Sequence, residues 1–395
     1  MAYCKWFKQL SKNSIPEAGG KGANLAEMWN SGFPVPPGFV VLADTYREFL
    51  RVRKIDKKIE DKLKDLDVED NEKLQKVATE VQELVMSSSM PVAMQDEIKE
   101  LYSYIDAAES LKSIKSAQAL LQVTSRDPAF VAVRSSATAE DLPGASFAGQ
   151  QATFVNVLGK DAVVQAVQKC WASLFMSRAI YYRVKNNFPH MKVAIAVVVQ
   201  KQINSEVSGV MFSVNPATNN LNQVVIEAIY GLGEAVVSGE VNPNTFVLDK
   251  ATGNMIEKDI PDQTFLLTRD AYTGQTIQRN VNKDKQGKQV LTESQIKTLW
   301  KYAVNMEKHY GVPQDMEWAI EKNQLYLVQT RPVTTLKQKV GEKIDMKVEA
   351  ILKGLGASPG HATGTVKIIS GVDELDKVQK GDILVAMSTS PAWTP

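Results

Sequence analysis

Between residues 44 and 120 apolar side chains recur at helical spacing, in a stretch that is heavily charged and nearly free of glycine and proline. That period predicts helices over about 44–64, 70–87 and 93–106. Pro91, after Ser87, Ser88 and Ser89, marks the opening of the last one. From residue 130 the pattern changes to short apolar runs, and strands are expected at 130–134, 151–157, 192–199, 208–213 and 223–229. Residues 161–186 read as one long helix and 292–310 as another. Residues 315–320 and 324–329 read as two strands of a hairpin turning at Glu321-Lys322-Asn323. The first forty residues, with Gly19-Gly20-Lys21-Gly22 and a Val-Pro-Pro-Gly-Phe run at 35–39, have loop chemistry, with a helix starting over Ala23 to Met28. Residues 336–351 are Lys-rich with few apolar anchors and read as a linker. A β-rich unit with Gly turns follows at 352–395. Strands in succession with helices set apart from them indicate an α+β fold rather than a doubly wound parallel sheet.

Composition narrows the function classes. With 395 residues the chain is expected to hold two or three domains. Its 46 Lys and Arg against 45 Asp and Glu leave a net charge of +1, which gives no support to a bulk nucleic-acid or anionic-membrane binder. No run approaches the roughly 18 apolar residues of a membrane span. The first residues lack the apolar centre of a signal peptide. Cys4 and Cys170 lie far apart, so a cytoplasmic protein with reduced thiols is expected. The histidines, His190, His309 and His361, have no His or Cys neighbour at zinc-ligand spacing and are expected on loops or at the surface.

Four segments carry candidate chemistry. Gly19-Gly20-Lys21-Gly22 before a helix offers backbone amides and one cation to a phosphate. It is not a Walker A loop, because Ile15 stands where the first glycine belongs and Gly22 replaces the hydroxyl residue. A tight turn with a solvated lysine is the equal alternative. Arg134 ends a strand and precedes fifteen mostly small or polar residues, a composition suited to a flap over a polyphosphate or to a plain surface loop. Glu227 to Glu234 ends another strand in a partial glycine fingerprint that is weak alone. Asp315 and Glu317 alternate onto one face of the hairpin, and Gln329 and Arg331 likewise onto one face. The short turn can bring these faces together. Two carboxylates, an amide oxygen and a guanidinium suit Mg²⁺ and phosphoryl groups; a structural cross-strand ion pair is the alternative.

Taken in order, GGKGANLAEM, PVPPGFV, VAVRSSATAEDLPGASFAGQQATF, GVMFSVNP, EAIYGLGEAVVSGEVNP, QDMEWAI and LYLVQTRP resemble the nucleotide-binding domain of the phosphoenolpyruvate synthase and pyruvate phosphate dikinase family, across roughly residues 5–335. The resemblance implies a two-lobed ATP-grasp domain at 1–335, with lobes of about 1–199 and 200–335. It implies ATP and Mg²⁺ as ligands. Residue by residue, Lys21 and Arg134 match phosphate-contacting cations, Gly149 and Thr153 match nucleotide contacts after the flap, and Gln200 falls where the lobe connection meets adenine. Glu317 and Gln329 match magnesium and phosphate positions, with Asp315 nearby. Arg331 matches the catalytic arginine, and Glu227 and Glu234 fall near the site.

The segment LGASPGHATGTVKII resembles the start of the family's swivelling phosphohistidine domain, so 352–395 is expected to be its incomplete opening. The family's acceptor histidine would lie beyond residue 395, as would the pyruvate-binding part. His361 stands in the wrong context to be that acceptor. The implied function is phosphorylation of a histidine, in cis or in trans, that passes the group to pyruvate. Two alternatives stand beside it. A related antibiotic phosphotransferase is disfavoured by the short connection after Arg331. A non-enzymatic ATP-binding subunit would need a partner chain.

Overall fold

The computed structural model describes residues 2–105, 128–138, 152–270, 273–333, 362–369, 374 and 377–386. Two antiparallel sheets organise these residues. The first has five strands, β1 (Cys4–Trp6), β2 (Gly38–Val41), β3 (Val131–Ala137), β4 (Thr153–Val157) and β5 (Ile195–Lys201), in the order β1-β2-β5-β3-β4. The second has six, β6 (Val207–Phe212), β7 (Gln223–Tyr230), β8 (Asn244–Asp249), β9 (Met255–Asp259), β12 (Gln314–Glu321) and β13 (Gln324–Pro332), in the order β13-β12-β6-β7-β8-β9. A separate hairpin, β10 (Phe265–Arg269) and β11 (Thr276–Asn280), leans back on the first sheet. There Asn156 donates to the Thr276 hydroxyl at 2.8 Å, and the Arg269 guanidinium lies 4.1 Å from the Phe130 ring centroid. In the described part of 352–395, β14 (Val366–Ile368) and β15 (Ile383–Val385) pair in parallel. The mixture is α+β, as the pattern indicated. The linker at 336–351, Gly149 with most of the flap, and His361 lie outside the described residues.

Helix α1 (Ile15–Asn30) packs on β3 and β5 and also reaches β13. It starts well before Ala23, so the stretch expected to be loop is a helix with a break at Gly19, where φ is 67° and ψ 175°. The expected helix over 44–64 is two helices, α2 (Ala43–Arg53) and α3 (Asp56–Leu63). Lys54 turns left-handed between them, which swings Ile55 into the core. Helices α4 (Asn71–Ser87) and α5 (Val92–Ser103) follow, α4 opened by Asp70, whose carboxylate accepts the Lys73 amide.

The helix expected over 161–186 is likewise two, α6 (Lys160–Ser173) and α7 (Ser177–Lys185). Leu174 and Phe175 are both fully buried, and the chain bends at Met176 to seat them. Helix α8 (Glu234–Val237) is a single turn. Helix α9 (Glu293–Tyr310) has a capping box of Thr292 and Gln295 and ends on left-handed Gly311. One apolar cluster runs through both sheets, from Phe39, Val133 and Trp171 to Met211, Phe246 and Trp318. His190 and His309 are not plain surface residues. His190 accepts from buried Arg183 at 3.0 Å, and His309 meets Glu27 of α1 at 2.8 Å.

Candidate functional site

Strand β3 carries alternating faces, and Arg134 and Ser136 share one of them. Cross-strand register adds Thr153 of β4, directly opposite Arg134, and Gln200 of β5, opposite Ala132. Gln200 is 2% exposed, and its amide nitrogen has no partner among the described residues. A buried donor left over in this way is a group that a ligand can satisfy. Helix α1 lies on this same face, because Gly22 packs on Val40 and its amide donates to the Ser136 hydroxyl at 3.1 Å.

The second sheet supplies the acid side. The β12–β13 hairpin sets Asp315 opposite Arg331 and Glu317 opposite Gln329, so the two faces that the short turn could bring together do meet. A bulge follows at once: Trp318 faces Leu327, leaving Val328 as the extra residue. Its carbonyl accepts from Arg134 Nη1 at 3.0 Å. Arg134 Nη2 donates to Glu317 Oε2 at 2.9 Å and to Gln329 Oε1 at 2.5 Å. One arginine of the first sheet therefore ties three oxygens of the second, with its side chain only 11% exposed. Its Nε is buried without a partner among the described residues. Beside it Arg331 Nε donates to Asp315 Oδ2 at 2.8 Å.

Glu227 belongs to the same row: Glu317 pairs with Val210, and Val210 with Glu227. Burial raises the Asp315 carboxyl above its ordinary value; Arg331 opposes the shift and Glu317 adds to it. Glu227 is raised too, by burial and then by the charge of Asp315. Asp315 and Glu227, two carboxylates that resist ionising together, would be relieved by a cation.

Lys21 follows the break in α1, close enough to Cys170 for its charge to oppose the burial that pushes that thiol up. Glu234 opens α8, and its carboxyl is raised by partial burial and by Glu240. No hydrogen bond or ion pair among the described residues joins it to the Arg134 constellation. Among the described residues no three His, Cys, Asp or Glu side chains form a ready metal cage. Mg²⁺ does not need one, since it commonly takes one or two carboxylates and completes its shell with water and substrate phosphates. The donor set of Glu317, Asp315 and the Gln329 oxygen fits that habit. Ser136 and Val328, which organise the constellation, went unnoticed in the sequence. The position of Ser136, two residues past Arg134 on one strand face, was the available signal.

A cation of the first sheet here faces the carboxylates of a hairpin of the second. Residues 15–350 match the family profile described as pyruvate phosphate dikinase, AMP/ATP-binding domain. The chain belongs to that family. Proteins named probable phosphoenolpyruvate synthase are 46% identical over 399 residues in Methanocaldococcus jannaschii and 45% identical over 393 in Methanothermobacter thermautotrophicus. A phosphoenolpyruvate synthase of Pyrococcus furiosus is 42% identical over 440. Each match covers 100% of this chain but only 32%, 55% and 52% of the respective relative. The chain thus spans between a third and about half of the length of these relatives. ATP binding is the property that family membership carries, and the resemblance drawn from the ordered motifs is borne out. No described helix is long and apolar enough to cross a membrane.

Proposed function

We propose that the chain is the Mg-ATP-binding phosphotransfer part of a cytoplasmic phosphoenolpyruvate synthase. It is read as a two-lobed ATP-grasp domain over 1–335, with lobes near 1–199 and 200–335, a linker at 336–351 and the opening of a phosphohistidine domain at 352–395. A histidine on a downstream domain, in the same chain or another, is the first acceptor. ATP, water and that histidine give AMP, phosphate and phosphohistidine, and the histidine then passes its phosphoryl group to pyruvate.

The observation that carries the reading is the bridge from Arg134 to Glu317, Gln329 and the Val328 carbonyl, with Asp315 and Arg331 alongside. Lys21, Arg134 and Arg331 are the cations for the phosphate oxygens, and Arg331 is the more exposed of the two arginines, at 47% against 11%. Gln200, Thr153, Gly149, Glu227 and Glu234 complete the nucleotide contacts. Bound Mg²⁺ would neutralise phosphate charge, and Glu317, Gln329 and Asp315 are the donors to hold it. The chain's own part is to hold the phosphates in line and keep the oxygen donors oriented through the Arg134 fork.

The test uses radiolabelled ATP and a separately supplied histidine domain. Arg331→Ala and Glu317→Ala are each expected to cut labelling by about 100-fold or more. Unchanged transfer in both variants would reject the site.

A further inference from the structure

We infer that Ser136 is a positioning residue that holds Lys21 in its phosphate-facing place, by closing a break that the sequence builds into α1. The inference rests on the ATP reading of the site. In a regular helix the Gly22 amide would donate to the Ala18 carbonyl. Here the Ser136 hydroxyl stands between the two. It accepts from the Gly22 amide at 3.1 Å and donates to the Ala18 carbonyl at 2.8 Å. A hydroxyl has one proton to give and lone pairs to accept with, so this insertion leaves neither helix group unsatisfied. Ser136 is fully buried and both of its partners are buried, so the bridge is sealed from bulk solvent.

The break is shaped for this contact. A Cβ on Gly19 would stand 2.2 Å from the Ser136 carbonyl oxygen and 2.3 Å from its hydroxyl oxygen. The helix therefore meets β3 backbone to backbone, and Lys21 leaves the helix between the two points that Ser136 fixes. Ser136 shares its strand face with Arg134, two residues before it. One rigid strand thus carries the guanidinium directly and the lysine indirectly, which sets the spacing between the two cations.

Remote clamps of this kind act on phosphate recognition and not on the base. Mg-ATP and adenosine affinities are measured by calorimetry on the 395-residue chain, for wild type, Ser136→Ala, Lys21→Ala and the double variant. Ser136→Ala is expected to lower the ratio of ATP to adenosine affinity by about tenfold, roughly 1.4 kcal/mol. In the Lys21→Ala background the same change should have almost no further effect, because the group it positions is gone. Equal losses in both backgrounds, or no loss in either, overturn the inference: the serine would then be only a structural plug. A wild-type chain that binds ATP no better than adenosine overturns the site reading itself, and the role of Ser136 with it. Should Ser136→Ala alter the circular dichroism spectrum, Ser136→Cys fills a similar volume with a weaker acceptor and is expected to give the same drop.

Discussion

Gly19 combines two demands that no other residue meets. Its φ of 67° with ψ of 175° lies in a region open essentially to glycine alone, and the space a Cβ would need is taken by Ser136. Gly19→Ala is therefore expected to destabilise the chain by at least about 3 kcal/mol, read as a lowered urea midpoint. Gly32, also at positive φ, has nothing near its would-be Cβ and serves as the milder control. At this scale the hairpin and the meeting of its Asp315/Glu317 and Gln329/Arg331 faces were legible, because a short turn leaves few registers open. Arg134 was legible as a strand-held group but not in its place: it was expected to end a strand, whereas β3 runs on through Ser135 and Ser136 to Ala137, so the first residues of the expected flap are paired strand. The partners of Arg134 were not legible, since Glu317 stands 183 residues away and local pattern says nothing about such a distance. Ser136 read as one more small residue of a flap, because a hydroxyl inserted into a helix leaves no periodic trace.

Between α7 and the turn at His190–Lys192 the structure sets a buried cation against a half-buried imidazole. Arg183, fully buried, is lowered to about 10 by burial, and it donates its Nε proton to His190 Nδ1. Burial and the Arg183 charge hold His190 down at about 4. An imidazole lowered on folding binds its proton more readily in the unfolded chain, so its contribution is complete above about pH 6.5 and is lost as pH falls toward 4. His190→Asn keeps an acceptor but does not titrate. Between pH 7 and 4.5 the stability gap between wild type and variant is expected to shift by about 1–2 kcal/mol against wild type, after allowance for partial exposure. Urea unfolding at the two pH values measures it. The same neighbourhood explains why the elements were only partly legible. Apolar period foresaw the helical content of 161–186, but the bend that buries Leu174 and Phe175 is a tertiary demand. Strand β9 escaped notice because every one of its residues is exposed, which removes the apolar alternation that marks a strand.

Across the whole molecule the second sheet is joined to the first part of the chain at several places: the Leu327 amide donates to the Pro34 carbonyl at 2.8 Å, Asn24 of α1 donates to the Thr330 carbonyl at 3.2 Å, and Arg134 of the first sheet supplies its fork. Removing the fork strands a half-buried carboxylate, a carbonyl and an amide oxygen. Arg134→Ala is expected to cost about 1–3 kcal/mol, followed by tryptophan fluorescence in urea. Arg134→Lys should recover less than half, since one ammonium cannot reproduce the planar fork. The α+β class was legible at this scale because helical and strand periods occupy separate stretches; the strand orders were not, being set by pairings between distant segments. The 183-residue gap between Arg134 and Glu317 also has a consequence for synthesis. At about 5–20 residues per second, a ribosome needs on the order of ten to forty seconds to make the second half of the site after the first. Through that interval the growing chain carries Arg134 without Glu317 and Gln329, so the fork adds nothing to the first sheet as it folds. The early half must hold together on its own share of the common apolar cluster, and a variant that weakens that share is expected to lower yield from the cell more than it lowers the stability of the purified protein.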